Sequence, residues 1–144
     1  MSATTFNSKR FLLSGLVGGI VSFFVGFLIY GILLANMMSS NSGTAANVMR
    51  GQNDMIFWSI MLGSLFMGLT LAYIFELAKI KSIGSGFIVG AIAGLLIIAG
   101  HDFTSFGTTN LLNLNGLLTD VAASTIMQAI TGAAIGFMNS KLKD

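Results

Sequence analysis

Polar side chains recur every four residues near the end of an otherwise apolar chain. Asp120, Ser124 and Gln128 have this spacing, which places them on one face of a helix. A carboxylate or an amide facing hydrocarbon is costly unless it is paired, so this face is predicted to point into the protein as a route for protons or small cations. Two plainer interpretations stay open. Asp120 favours a helix N-terminus near interfacial water, and Gln128 makes an interhelical hydrogen bond.

Other groups that can carry protons are predicted to lie near this stripe. His101 and Asp102 end the preceding apolar stretch, within reach of Asp120 if the intervening loop is compact. A histidine that titrates near neutral pH beside carboxylates is suited to sensing or shuttling protons, although such a pair also commonly marks a helix end. Tyr30 lies inside the first apolar stretch, where its hydroxyl needs a partner, either as structural glue or as part of a polar lining. The predicted polar pathway therefore comprises Tyr30, His101, Asp102, Asp120, Ser124 and Gln128.

The sequence offers no support for catalysis or for a bound cofactor. It has one histidine and no cysteine, so a single chain cannot assemble a multi-histidine or thiolate zinc site. It also lacks a nucleophile elbow, a phosphate-binding loop and a His-Glu-x-x-His helix. We therefore predict a protein that is not an enzyme, with no catalytic residues, no metal ligands and no cofactor.

These residues are set in four apolar stretches, at residues 11–38, 55–77, 83–103 and 117–138. The chain is 54% hydrophobic and 8% charged, against about 25% charged residues in an ordinary soluble domain. A helix needs roughly 20 residues to cross the hydrocarbon of a bilayer. The third stretch reaches that length only if residues 100–103 extend it. The prediction is an all-α bundle of four transmembrane helices, arranged as two tandem hairpins in a single domain spanning residues 1–144.

Basic residues predict how the chain is oriented in the bilayer, because Lys and Arg near membrane crossings are retained on the cytoplasmic side. Arg50 is predicted to lie on the outer side, and the other six basic residues share the opposite side: Lys9, Arg10, Lys79, Lys81, Lys141 and Lys143. Both termini are therefore predicted to be cytoplasmic, in a bacterial-type plasma membrane. The outer loops are predicted at residues 39–54, a mobile polar segment, and at roughly 100–116. The net charge of +2 is a topology signal, and no nucleic-acid partner is predicted.

Glycine supplies the strongest internal pattern. The chain has 18 glycines, far above the average of about 7% of residues. In lipid, small residues allow helix backbones to approach and gain dispersion contacts. Every predicted helix carries such residues at steps of three or four, and those assigned to helix packing are Gly15, Gly19, Gly26, Gly86, Gly90, Gly94, Gly132 and Gly136. The pattern fits a tight four-helix bundle, or a bundle in which one stripe faces outward and forms a homodimer.

One segment of the first stretch resembles a known family. Residues 26–37 read GFLIYGILLANM, and their Gly-x-x-x-Tyr pattern, from Gly26 to Tyr30, is similar to the opening of the bacterial membrane family of unknown function numbered 1761. Members of that family tend to have Trp before the Tyr, where this chain has Ile29. The resemblance implies a four-helix membrane chain with a polar tract before the last helix, and it implies no activity.

Two functions from different classes follow. The favoured prediction is a structural or accessory subunit, partnered by the lipid bilayer and by copies of itself or a larger membrane complex. The alternative is a small channel or transporter that passes protons or small cations through an outward-facing polar vestibule, with the pathway residues as its lining.

Overall fold

A computed structural model describes residues 6–45, 48 and 50–142, and almost all of them are helical. Helix α1 spans Ser8–Gly26 and continues as a π-helical segment, Phe27–Leu33. A short helix α2 (Ala35–Ser40) and a 3-10 turn (Gln52–Asp54) precede α3 (Phe57–Ala78), α4 (Ile83–Thr108) and α5 (Leu114–Lys141). Four helical segments are long and apolar enough to cross a membrane. The predicted all-α, four-span fold is confirmed, and the chain is a multi-pass membrane protein.

The helix boundaries differ from the predicted spans at two places. The first helix does not run without a break to residue 38, because the π-helical segment ends at Leu33 and α2 starts a new helix after the non-helical Leu34. Helix α4 continues to Thr108, beyond the predicted end at residue 103. Within this extension the hydroxyls of Thr104 and Thr108 donate to the carbonyls four residues earlier, each at 2.8 Å. The second outer loop is thereby reduced from residues 100–116 to residues 109–113.

Side-chain caps define where three of the helices begin. The Asn7 side chain accepts from the Arg10 amide at 3.0 Å, Ser82 accepts from the Ser85 amide at 3.1 Å, and Asn113 accepts from the Gly116 amide at 2.9 Å. Each cap satisfies a backbone donor that the first helical turn leaves without an intrahelical acceptor. The first helix, α4 and α5 therefore start at polar residues at the edges of the apolar stretches.

The spans pack in the spatial order α3, α1, α5, α4, with α1 and α5 at the centre. Each sequential hairpin, α1 with α3 and α4 with α5, forms an extensive contact, and α1 joins the two hairpins through α5. Half of the apolar part of α5 is buried, compared with 17% for the first span and for α4. The apolar core combines Leu71, Ala72 and Phe75 of α3 with Ile135 of α5. Helix α5 is thus the span whose side chains are best shielded from lipid.

Glycines lie at the closest contacts between helices. A Cβ added at Gly15 or Gly19 would meet the backbone of α3, within 3.2 Å of Leu69 Cα and 2.8 Å of Leu65 Cα respectively. Gly86, Gly90 and Gly94 of α4 face Gln128, Gly132 and Gly136 of α5, and a Cβ added at Gly26 would lie 3.1 Å from the Met127 sulfur. The stripes of α1 and α4 are therefore occupied by contacts within one chain.

Both ends of the described chain meet at one end of the bundle, which we call the terminal end. A buried ion pair joins α1 to α3 there: the Arg10 guanidinium donates to both carboxylate oxygens of Glu76, at 2.6 and 2.9 Å. The same carboxylate accepts from the Asn7 amide at 3.1 Å and from Lys79 Nζ at 2.9 Å. Arg10 is 3% exposed and Glu76 1% exposed. The spacing of three residues along one helix indicates only the pair of Glu76 with Lys79, and no local pattern indicates its second partner, Arg10.

The turn between α3 and α4 is held at the same end. Lys79 adopts a left-handed backbone conformation, with φ at 55°, which is unfavourable for a residue with a side chain. The Ile80 amide donates to the Phe75 carbonyl at 2.9 Å, and the Asn139 side chain of α5 donates to the Ile80 carbonyl at 3.0 Å. Of the basic residues predicted to share this side, Lys143 lies outside the described residues.

The opposite end, which we call the loop end, is closed by pairing between the two connections. Gly43 and Ala45 donate through their amides to the carbonyls of Leu111 and Asn110, at 2.9 and 3.1 Å. The Asn113 amide donates to the Asn41 carbonyl at 3.1 Å. The first connection, predicted to be mobile, is therefore anchored over residues 41–45. Its residues 46, 47 and 49 lie outside the described part of the chain.

Replacing Gly90 with Ala is expected to destabilise the bundle by about 1–3 kcal/mol, because the new Cβ would lie 2.5 Å from the Gln128 carbonyl oxygen. Thermal unfolding in detergent measures the change. Gly100→Ala is the matched control in α4, because its Cβ would enter open space. Equal unfolding temperatures for the two variants would contradict the close α4–α5 contact.

Replacing Glu76 with Gln is expected to cost about 3–5 kcal/mol of stability, because it removes the negative charge to which the buried Arg10 guanidinium donates two hydrogen bonds. Lys79→Gln, which removes the partly exposed member of the same cluster, is expected to cost less than about 1 kcal/mol. Unfolding of both variants in one detergent gives the comparison. A Lys79 variant as unstable as the Glu76 variant would show that Arg10 is not the main partner.

Candidate functional site

The candidate site lies at the loop end, where three spans bring their polar side chains together. The π-helical segment contributes Tyr30, α4 contributes His101 and Asp102, and α5 contributes Asp120 and Ser124. We call these five residues the polar vestibule. Five of the six residues predicted for the pathway belong to it, and the sixth, Gln128, lies one helical turn beyond Ser124 along α5.

Tyr30 is positioned by an unusual stretch of helix. In the π-helical segment the Leu34 amide donates to the Ile29 carbonyl, five residues earlier, at 2.7 Å. A π turn holds one more residue than an α turn, so the side chains on either side of it point in directions that a regular helix would not give. Such turns are frequent at functional sites. Tyr30 lies at the centre of this segment and reaches across to α5.

The Tyr30 hydroxyl links two residues of α5. Its oxygen lies 2.5 Å from Asp120 Oδ1 and 2.6 Å from Ser124 Oγ. A hydroxyl has one proton and two lone pairs, so when Tyr30 donates to the carboxylate it accepts from the serine. When Asp120 takes up a proton the chain can reverse, with Asp120 donating to Tyr30 and Tyr30 donating to Ser124, without movement of heavy atoms.

A second carboxyl group faces this chain from α4. Asp102 comes within hydrogen-bonding reach of Asp120, and its Oδ1 lies 3.2 Å from His101 Nδ1. The other oxygen, Oδ2, is buried and has no hydrogen-bond partner in the part of the chain that the structure describes. Two carboxylates within hydrogen-bonding reach of each other repel unless a proton lies between them.

His101 connects the vestibule to its surroundings. Its side chain is 78% exposed, whereas that of Asp102 is 9% exposed. The imidazole is the most exposed member of the vestibule, and its Nδ1 contacts Asp102, which is buried, whereas Tyr30 and Asp120 are partly exposed.

Gln128 is buried apart from the vestibule. It is 0% exposed, and neither its amide oxygen nor its amide nitrogen has a hydrogen-bond partner among the described residues. Its Cβ packs against Gly94 of α4. The interhelical hydrogen bond that was one of its two predicted roles is therefore not formed. The Thr131 hydroxyl, three residues further along α5, is likewise buried without a partner in the described chain.

Sequence reasoning missed two hydroxyl residues next to the vestibule. Ser105 and Thr109 line a small cavity together with Asp102. Ser105 lies three residues after Asp102 on one face of α4, and Thr109 is the extended residue that follows the helix. The spacing of Asp102 and Ser105 is visible in the sequence, but it predicts a shared helical face only if α4 extends beyond residue 103.

The described residues contain no group of three His, Cys, Asp or Glu side chains placed to hold a metal ion. Comparisons with family models, with curated proteins and with solved structures give no match to this chain. What the site can do must therefore be inferred from its own chemistry, which is that of proton binding by paired carboxyl groups.

Replacing Tyr30 with Phe is expected to destabilise the protein by about 1–3 kcal/mol, because Asp120 and Ser124 lose their shared partner at a partly buried site. Tyr73→Phe is the matched control, since Tyr73 is 50% exposed and packs through its ring against Phe11. Thermal unfolding in detergent compares the two. A Tyr30 variant as stable as the Tyr73 variant would argue against the hydrogen-bonded chain.

Proposed function

We propose that the protein is a small membrane channel or transporter that carries protons through its polar vestibule. The observation that carries this proposal is the facing carboxyl pair, Asp102 and Asp120. The Asp120 carboxyl group accepts from the Tyr30 hydroxyl, which also bonds Ser124, and the Asp102 carboxyl group touches His101. A pair of this kind binds and releases a proton at a fixed position, which is the first requirement of a proton pathway.

The route away from the vestibule follows the buried face of α5. Beyond Ser124 this face carries Gln128 and Thr131, whose polar atoms lack partners in the described structure, and then Asn139, which reaches the terminal end. Buried polar groups of this kind are satisfied by water when the protein relaxes to admit it. The proposal is that water entering beside these residues extends the hydrogen-bonded chain along α5.

The proposed orientation puts the vestibule on the outer face of a bacterial-type plasma membrane. The exposed Lys9 and Lys141 and the partly exposed Lys79 and Lys81 lie at the terminal end, and the exposed Arg50 belongs to the loop end. This distribution supports cytoplasmic termini by the bias of basic residues toward the cytoplasm. The proposed activity involves proton binding and transfer with no covalent chemistry, so we do not propose an enzyme.

A structural or accessory role is the second candidate, and a separate observation favours it. Every described side chain of residues 57–63 is exposed, including Trp58 at 70%. The first two turns of α3 are thus little covered by the described part of the chain, and a second copy or another subunit of a membrane complex would cover them. The glycine stripes of α1 and α4 support this role less, because their contacts are made inside the chain.

Proton flux into liposomes separates the two candidates. Wild-type protein is expected to carry protons down a pH gradient when a potassium ionophore balances the charge, and Asp120→Asn is expected to lower that flux at least about tenfold, because it removes one member of the carboxyl pair. Asp54→Asn, at an exposed carboxylate of the first connection, is the control and is expected to keep wild-type flux.

Two results of the flux measurement would contradict the proposed transport. Flux that survives in Asp120→Asn would exclude the carboxyl pair as the pathway. An absence of flux in wild type under every ionic condition, together with co-purification in a larger complex, would favour the accessory role. Native mass spectrometry of the same preparations reports the oligomeric state.

A further inference from the structure

We propose that a cavity beside the polar vestibule is a binding site for a single monovalent cation, Na⁺ or an ion of similar size. The cavity lies between the last turns of α4 and the beginning of α5. It is lined by Asp102, Ser105, Phe106, Thr109, Leu112 and Leu117. We call it the α4 cavity. It lies outside the chain of hydrogen bonds that joins Tyr30, Asp120 and Ser124.

A buried negative group is the first reason to expect a cation. Asp102 is 8% exposed, and its Oδ2 has no hydrogen-bond partner among the residues described. A buried carboxylate oxygen without a donor is costly, and the cost is removed by a proton or by a cation. If Asp102 and Asp120 share one proton, as the proposed function requires, the pair still carries one negative charge. This remaining negative charge follows from the proposed function, so the cation site rests on that function.

The end of α4 adds further negative character. The helix ends at Thr108, so its last carbonyls lie around the cavity and give this end the negative side of the helix dipole. The Thr109 hydroxyl donates to the Ser105 carbonyl at 2.8 Å, which uses its proton and leaves its lone pairs free for a cation. The Ser105 hydroxyl lies 3.4 Å from that of Thr109. None of the residues that line the cavity is basic.

Size and ligand type select the class of cation. The cavity measures about 20 Å³, which is room for one water-sized ligand. Its available ligands are all oxygen atoms, which suit hard cations and not the softer transition metals. A divalent ion needs more negative charge than one carboxyl group supplies, and the described residues contain no cluster of three acidic or histidine side chains. A small monovalent cation meets these conditions, and K⁺ is disfavoured by its larger size.

Cation binding is tested with the purified full chain in detergent at constant ionic strength, using NaCl, KCl or choline chloride. A ligand that binds only the folded state raises the unfolding temperature as its concentration rises. We expect stabilisation by Na⁺ and not by K⁺ or choline, together with broadening of the ²³Na resonance by the protein. Equal stabilisation by the three salts, or no Na⁺-dependent change in either measurement, would overturn the proposal and leave water as the occupant.

Two threonines of matched geometry show whether the α4 cavity is the site. Thr109→Val removes a hydroxyl that lines the cavity and is expected to weaken Na⁺ binding at least about tenfold. Thr104→Val removes a hydroxyl with the same 2.8 Å bond to the carbonyl four residues earlier, at a position outside the cavity, and is expected to bind Na⁺ as wild type does. Wild-type affinity in Thr109→Val would exclude the cavity.

Proton flux, measured in the same variants, distinguishes failure of this inference from failure of the proposed function. Asp120→Asn removes proton sharing but keeps the Asp102 carboxylate, so it is expected to lose flux and to keep Na⁺ binding. A wild-type protein that binds Na⁺ but carries no protons would overturn the proposed transport alone. A wild-type protein that carries protons but binds no Na⁺ would overturn the cation site alone.

Discussion

Close approach of helix backbones at glycine is the interaction on which the rest of this structure depends. In lipid there is little hydrophobic force between helices, so their association relies on contact surface and on hydrogen bonds. Gly86, Gly90 and Gly94 bring α4 against the backbone of α5. That contact fixes the distance between Asp102 on one helix and Asp120 on the other. A wider spacing of these helices would separate the two carboxyl groups.

The two ends of the bundle differ in how their carboxyl groups are partnered. At the terminal end, Glu76 is surrounded by donors: the Arg10 guanidinium, the Lys79 ammonium and the Asn7 amide. At the loop end, Asp102 and Asp120 face each other, with the exposed imidazole of His101 nearby. A fully paired carboxylate holds its charge firmly and stabilises the fold. A carboxyl group that faces another one is instead able to change its protonation.

Much of the fold was predictable from the sequence, because membrane insertion imposes simple rules. The lengths of the apolar stretches predict the four spans, and the four-residue spacing of Asp120 and Ser124 predicts one polar face of α5. The π-helical segment was not predictable, since nothing in the run from Phe27 to Leu33 distinguishes a π turn from an α turn. The added turn of α4 was also missed, because alternating Phe, Thr and Ser residues resemble a loop until their hydroxyls are seen to bond within the helix.

The partners of the buried groups were the least predictable part. A stripe of small residues indicates that a helix packs closely against another helix, but it does not indicate which one. The packing order α3, α1, α5, α4 determines which helix each stripe contacts. In the sequence, Arg10 indicates only how the chain is oriented in the bilayer. Its pairing with Glu76 depends on how far α1 and α3 overlap at the terminal end, which no local pattern encodes.

The unequal shielding of α3 has a consequence for how this chain can diverge over evolutionary time. The second half of α3, around Leu71, Ala72 and Phe75, is buried and packs with Ile135 of α5. Substitutions there therefore require compensating changes in the residues packed around them. Residues 57–63 are exposed in the described part of the chain, so packing constrains them less, and their main requirement is to remain apolar enough to lie among lipid acyl chains. One helix thus combines a segment whose sequence is expected to change slowly with a segment whose sequence is free to change. Conservation of residues 57–63 in one lineage would indicate that a partner subunit covers them there.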